Sequence, residues 1–253
     1  MSNAEILALL AGGFVAGAMN AVAGGGTIVT FPLLMAFGMP AIQANATNTF
    51  ALLAGIGGSL YGYRANLPAV RPWLKIFAPV SIVGGLLGAL LLTHTSEKVF
   101  SDLVPFLIFF ATVLFLLSDL VRRLAGLEEA QSSHLVAAAV LQFFVAVYGG
   151  YFGAGIGILM LAALGLIGHK NIHEMNAIKT VLGALINVVA ALYFIFAGLV
   201  VWPQALVMTL GAGAGYYSGA FVSSRISPRH VRGTVVFIGL ILSVVFFWRQ
   251  FVK

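Results

Sequence analysis

Residues 6–63 contain no Asp, Glu, Lys, Arg or His. As helix, at about 1.5 Å per residue, this run would extend roughly 87 Å, far beyond the roughly 30 Å thickness of a hydrocarbon core. A water-facing surface cannot be built on such a stretch. The whole chain agrees: 253 residues, 61% apolar and 8% charged, where a soluble domain carries about 25% charged residues. Disordered and disulfide-stapled classes are excluded by the apolar content and the absence of cysteine. Transmembrane β-barrels alternate polar and apolar residues over segments of about ten. Continuous apolar runs predict helices instead, in an all-α, polytopic membrane protein. The net charge of +6 does not indicate nucleic-acid binding. The basic residues stand singly or in small groups between apolar runs, as inter-helix loops do.

Breakers divide the runs. Gly24-Gly25-Gly26 interrupts the first and Gly38-Met39-Pro40 ends its second part. The pattern predicts a helix over 5–22, a short one over 27–37 and a full span at about 41–63. Further spans are expected at 73–93, 99–121, 174–197, 202–224 and 231–250. Residues 135–168 form a second charge-free run, broken at Gly149-Gly150 and Gly153-Ala154-Gly155-Ile156-Gly157. Five residues without Lys or Arg precede the first apolar segment, so that helix is expected to stay in the mature protein.

The two broken regions are related. Ala23-Gly24-Gly25-Gly26 matches Phe152-Gly153-Ala154-Gly155 at an offset of 129, and Asn45-Ala46-Thr47-Asn48-Thr49 matches Asn176-Ala177-Ile178-Lys179-Thr180 at 131. This predicts two repeats in one transmembrane domain, residues 1–125 and 132–253, each opening with a glycine-broken, re-entrant-like segment. About eight full or near-full spans result. Single crossings by the broken segments would split the loop Lys/Arg seven to five across the membrane. Re-entrant segments split them nine to three. The stronger bias makes the repeats inverted and puts both termini on the extracytoplasmic side. Gly13/Gly17, Gly84/Gly88, Gly149/Gly153/Gly157 and Gly211/Gly215/Gly219 repeat every four residues, the spacing of close helix–helix contact in lipid.

Lys179 is the residue that packing explains least. It lies about seven residues inside its helix, roughly 10 Å deep, where a cation costs about 2.5–3.5 kcal/mol on insertion scales. A cavity, a counter-charge or an anionic ligand would retain it there; snorkelling to the surface is the alternative. Asn48 is its repeat partner. Helices restarting at Gly26-Thr27 and at Gly155 to Gly157 would aim N–H groups and a positive dipole end into the protein. With Asn20, Asn45, Asn48, Asn176 and Thr27, and with Gly24, Gly25, Gly26, Gly153 and Gly155 permitting backbone approach, these form a candidate site for a small anion. His169, His173 and Glu174 have metal-like spacing but surround a turn and helix start, so no metal and no cofactor is expected. No nucleophile–base set or phosphate loop is visible, so the chain does not read as an enzyme.

These motifs resemble the sulfite exporter TauE/SafE family of bacterial inner-membrane proteins. The resemblance rests on Ala23-Gly24-Gly25-Gly26-Thr27, Phe31-Pro32-Leu33-Leu34, Gly38-Met39-Pro40, Ala44 and Ala46-Thr47-Asn48, and on the second copy at Tyr151-Phe152-Gly153 and Asn176-Ala177-Ile178-Lys179. It spans the whole chain in segment number and length. It implies a multi-pass plasma-membrane transporter that exports a small anion: sulfite, an organosulfonate or a related carboxylate. The second copy departs where Leu161 stands for Pro32 and Ala154 for Gly25. The expected partners are the bilayer, the anion and, as an open case, further copies of the chain, with no nucleic acid. An anion channel or an assembly protein without transport activity are the competing readings.

Overall fold

The computed structural model describes residues 1–22, 25–55, 57, 64, 66–117, 120, 135–165, 172–222 and 228–251. Among them are ten α-helices: α1 (Asn3–Val22), α2 (Thr27–Ala36), α3 (Ala41–Ala51), α4 (Leu67–His94), α5 (Glu97–Leu116), α6 (Leu135–Tyr151), α7 (Ile156–Gly165), α8 (Ile172–Phe196), α9 (Trp202–Val222) and α10 (Pro228–Phe251). The described residues form no strand. Among the described residues, five segments are long and apolar enough to cross a membrane: Asn3–Ala21, Leu67–His94, Glu97–Leu116, Glu174–Phe196 and His230–Trp248. Their outward faces carry large apolar side chains such as Val83, Phe106, Phe196, Phe237 and Trp248. Water would penalise that surface and lipid does not.

The chain punctuates its helices as local chemistry requires. Gly38 and Gly198 adopt φ +82° and +69°. There the N–H of Met39 donates to Leu34 and that of Leu199 to Phe194, six-residue closures that satisfy the last carbonyls of α2 and α8. Ser96 Oγ accepts from the N–H of Val99 and starts α5, with Glu97 in its first turn. The Glu97 carboxylate also reaches across the chain and accepts from the N–H groups of Ala41 and Ile42. It thereby caps α3, which Pro40 opens without a side-chain cap of its own.

Two expectations about element limits are corrected. The α-helix expected over 41–63 is interrupted after Ala51 by a 3-10 turn, Leu52–Gly55; Gly57 is again helical, and residues 56 and 58–63 lie outside the described residues. Here the backbone is drawn tightly under α9: a Cβ on Gly55 would overlap the Tyr216 ring, and the Tyr216 hydroxyl donates to Leu52 O at 3.5 Å. The break expected at Gly149-Gly150 is also absent. Helix α6 runs through both glycines, and the interruption lies at residues 152–155. Gly150 instead lets α6 meet the backbone of Gly85 on α4. The boundary expected at 125–132 lies outside the described residues.

Small residues fix the packing. Helix α1 runs along α9 and α4 along α6. A Cβ on Gly84 or Gly88 would meet the carbonyl of Phe143 or Val147, and one on Gly215 or Gly219 that of Phe14 or Ala18. The glycines of these two sets differ by 131 in residue number and the facing carbonyls by 129. These are the same offsets that relate the broken regions. Backbones held this close gain dispersion and Cα–H···O contacts, the main sources of helix association where lipid removes the hydrophobic drive.

Candidate functional site

The first break leads into α2. Its glycines serve different ends. Gly24 lies outside the described residues. Gly25 has φ +94°, conformational space that an L-residue avoids, and its Cα faces the side chains of Val235 and Phe115. The Gly26 N–H donates to Asn20 Oδ1 at 2.8 Å, and Asn20 Nδ2 donates to the Tyr216 hydroxyl at 2.9 Å. The N–H groups of Ile28 and Val29 turn back onto the carbonyls of Gly25 and Gly26. Much of the positive end of α2 is therefore answered from within the protein.

Asn48 on α3 is held by the same turn. Its Nδ2 donates to Thr27 Oγ1 at 3.4 Å, and its Oδ1 lies against the Thr30 hydroxyl. Thr30 has one proton to share between Asn48 and the Gly26 carbonyl, 3.0 Å away. In either arrangement the amide of Asn48 is engaged by the first turn of α2. Thr30 and Asn48 are 0% and 1% exposed, so the contact is sheltered from competing water.

The second break is built differently at equivalent positions. Gly153 and Gly155 take φ +84° and +79°, and the Tyr148 hydroxyl donates to Ala154 O at 2.8 Å, bracing the loop. The counterparts of Thr27 and Thr30 are Ile156 and Leu159, and that of Asn20 is Gly149. Helix α7 thus lacks at those positions the hydroxyls and the amide that close the start of α2. Lys179, half-buried on α8, lays its stem across this turn: a Cβ on Gly157 would stand 3.2 Å from Lys179 Cδ. Only glycine leaves the stem unobstructed. The N–H groups of Ile156 and Ile158 turn back onto the carbonyls of Gly153 and Gly155, as at the first break, but the Lys179 stem lies against this helix start, an arrangement that favours negative charge.

Asn45 is fully buried and donates from Nδ2 to Tyr151 O at 3.0 Å, the last residue of α6. Its Oδ1 has no hydrogen-bond partner among the described residues. Asn176, its counterpart, is half-buried on α8. Thr47 Oγ1 accepts from the N–H of Val201 at 3.1 Å and so caps α9 from α3. Tyr216, Thr30 and Tyr151 complete these networks, and sequence reasoning did not select them. Thr30 had a legible signal, since it shares a helix face with Thr27; Tyr216 and the Tyr151 carbonyl had none. His94 and His230 are exposed. His134 and His169 lie outside the described residues, as does the side chain of His173.

The family model "Sulfite exporter TauE/SafE" matches residues 9–246. The chain belongs to the TauE/SafE family. It is 30% identical over 243 residues to a "Probable membrane transporter protein" of Haemophilus influenzae, covering 94% of this chain and 93% of that one. It is 29% identical over 236 residues to the "Probable membrane transporter protein YfcA" of Escherichia coli, covering 90% and 84%. A third relative, "Probable membrane transporter protein ORF9" of Sinorhizobium, is 26% identical over 241 residues. No solved structure matches. This TauE/SafE protein is therefore a multi-pass helical membrane protein of a transporter family.

Proposed function

We propose that the protein exports a small anion, such as sulfite, a small organosulfonate or a related carboxylate, across the bacterial inner membrane by alternating access. The observation that carries this reading is the asymmetry of the two breaks. At the first, Asn20 accepts from the Gly26 N–H while Thr27 and Thr30 engage the amide of Asn48. The second sets Lys179 against the start of α7, with apolar residues or glycine where the first has polar side chains. In this reading the Lys179 ammonium neutralises the ligand and N–H groups near Gly155 and Gly157 bind its oxygens. Asn176, on the same helix, orients it.

The halves, 1–125 and 132–253, act as inverted repeats of about eight spans that rock against each other about this site, with both termini extracytoplasmic. The exchange of glycine–carbonyl contacts at offsets of 131 and 129 supports the duplication, and the nine-to-three basic split supports the inversion. The test is flux into proteoliposomes of sulfite, thiosulfate, sulfoacetate and small carboxylates, with and without a pH gradient, for the native protein and Lys179→Met. Loss of a charged hydrogen bond predicts about 1.5–3 kcal/mol weaker anion binding, roughly ten- to a hundredfold in Kd. Equal affinity in the two proteins would remove Lys179 from the site.

A further inference from the structure

A break in a helix has two ends. The start of α7 is the positive one, treated above. The end of α6 is the negative one, and there the fully buried Asn45 meets the last carbonyl of the helix. The hydrogen-bond inventory at this point is one-sided. Asn45 Nδ2 donates to Tyr151 O, and Asn45 Oδ1 has no partner among the described residues. Leaving a buried carbonyl unanswered costs about 1–3 kcal/mol, so this oxygen favours a donor or a positive charge.

The neighbouring backbone is also acceptor-rich. The Gly153 N–H reaches back to Tyr148 O, while the Gly149 carbonyl stands 3.0 Å from where a Gly153 side chain would begin. Absence of that side chain leaves the carbonyl open to approach. Phe152, next in the chain, packs edge-on to Phe31 and Phe100, and Tyr151 to Phe100. These rings keep the surroundings apolar, which strengthens any ion–dipole contact made there.

An anion is the wrong occupant for such a place, since the unpartnered atom is a carbonyl oxygen beside the negative end of a helix. We infer that Asn45 Oδ1 and the carbonyl end of α6 bind a monovalent metal cation, with sodium as the ion of fitting chemistry. The inference rests on the transport reading and supplies its driving ion. A proton is a poor alternative because an amide and carbonyls do not titrate near neutral pH. The acidic side chains are few as well. Glu5, Glu97 and Glu174 lie in first helical turns, and Asp102 is exposed and paired with Lys98 at 2.9 Å. Hard oxygen ligands without charge suit a weakly held alkali ion rather than a divalent one. A cation at one end of residues 152–155 would also favour an anion at the other, so binding of the two would be mutually strengthening.

The experiment uses the full-length protein in detergent. Melting temperature is measured while sodium chloride replaces choline chloride, and separately potassium chloride, at constant ionic strength, with and without sulfite. The inference expects a sodium-specific, saturable rise in melting temperature, and about a tenfold fall in the sulfite dissociation constant when sodium is present. In Asn45→Leu, which removes the amide oxygen and adds apolar volume, the sodium response should vanish while the sulfite response in choline persists, showing that the variant is folded. Asn45→Asp keeps oxygen at this position and should retain the sodium response. No sodium-specific shift in the native protein, or an equal shift in Asn45→Leu, overturns the inference. A sodium response dependent on Asn45 upholds it even if sulfite has no effect, an outcome that would count against the proposed anion only.

Discussion

Gly157→Ala separates stability from function at the second break. Gly157 is the second residue of α7, and the atoms nearest an added Cβ belong to the Lys179 stem, at 3.2, 3.7 and 3.8 Å for its Cδ, Cγ and Cε. The tightest contact must lengthen by a few tenths of an ångström. A four-carbon stem does this by small torsional changes, at a cost below about 1 kcal/mol. Against that stands the gain of Ala over Gly in a helix, up to about 1 kcal/mol and less in a first turn. Net stability should stay within about 1 kcal/mol of the native protein. Function should not be spared, because the ammonium shifts with the stem. A charged hydrogen bond is worth about 1.5–3 kcal/mol; losing part of it should weaken anion binding about three- to thirtyfold. The assay is anion titration by thermal shift on purified protein, with flux in proteoliposomes alongside. A double-mutant cycle completes it: in a Lys179→Met background, Gly157→Ala should have no further effect on affinity. If it weakens binding equally with and without the lysine, or not at all, Gly157 does not act through Lys179 and the geometry argued for the site fails.

Three further outcomes are expected. Thr47→Val leaves the Val201 N–H without its acceptor and should destabilise the protein by about 1–3 kcal/mol, read as a lowered melting temperature. Gly88→Leu and Gly219→Leu place side chains on the equivalent carbonyls of Val147 and Ala18, so both should lower the melting temperature strongly and by similar amounts; a large effect from only one would count against two equivalent interfaces. A reporter active only in the cytoplasm, fused after Lys253, should stay silent, and strong signal would refute the inverted topology.

Much of the architecture is legible along the chain because lipid leaves few options. Charge-free runs longer than a bilayer must be helices, and Gly25-Gly26, Pro40 and the glycines at 153 and 155 interrupt them, while Gly149-Gly150 does not. That is why the limits of α1, α2 and α9 lie close to those expected. Lys179 is legible for the same reason: a cation inside a span is costly wherever the helix packs.

Other features depend on which helices meet, and no local pattern encodes that. The helix expected over 41–63 is interrupted after Ala51, where the chain passes under Tyr216, more than 150 residues away in sequence. Asn48 reads as a free amide in the sequence, yet Thr27 and Thr30 hold it. Asn45 reads as one more polar residue, and its position at the carbonyl end of α6 leaves its oxygen unanswered. The repeat motifs announce two similar breaks. Their chemical difference emerges only when α3 is set against α2 and α8 against α7, because hydrogen bonds and dipoles act over a few ångströms of space and not along the chain.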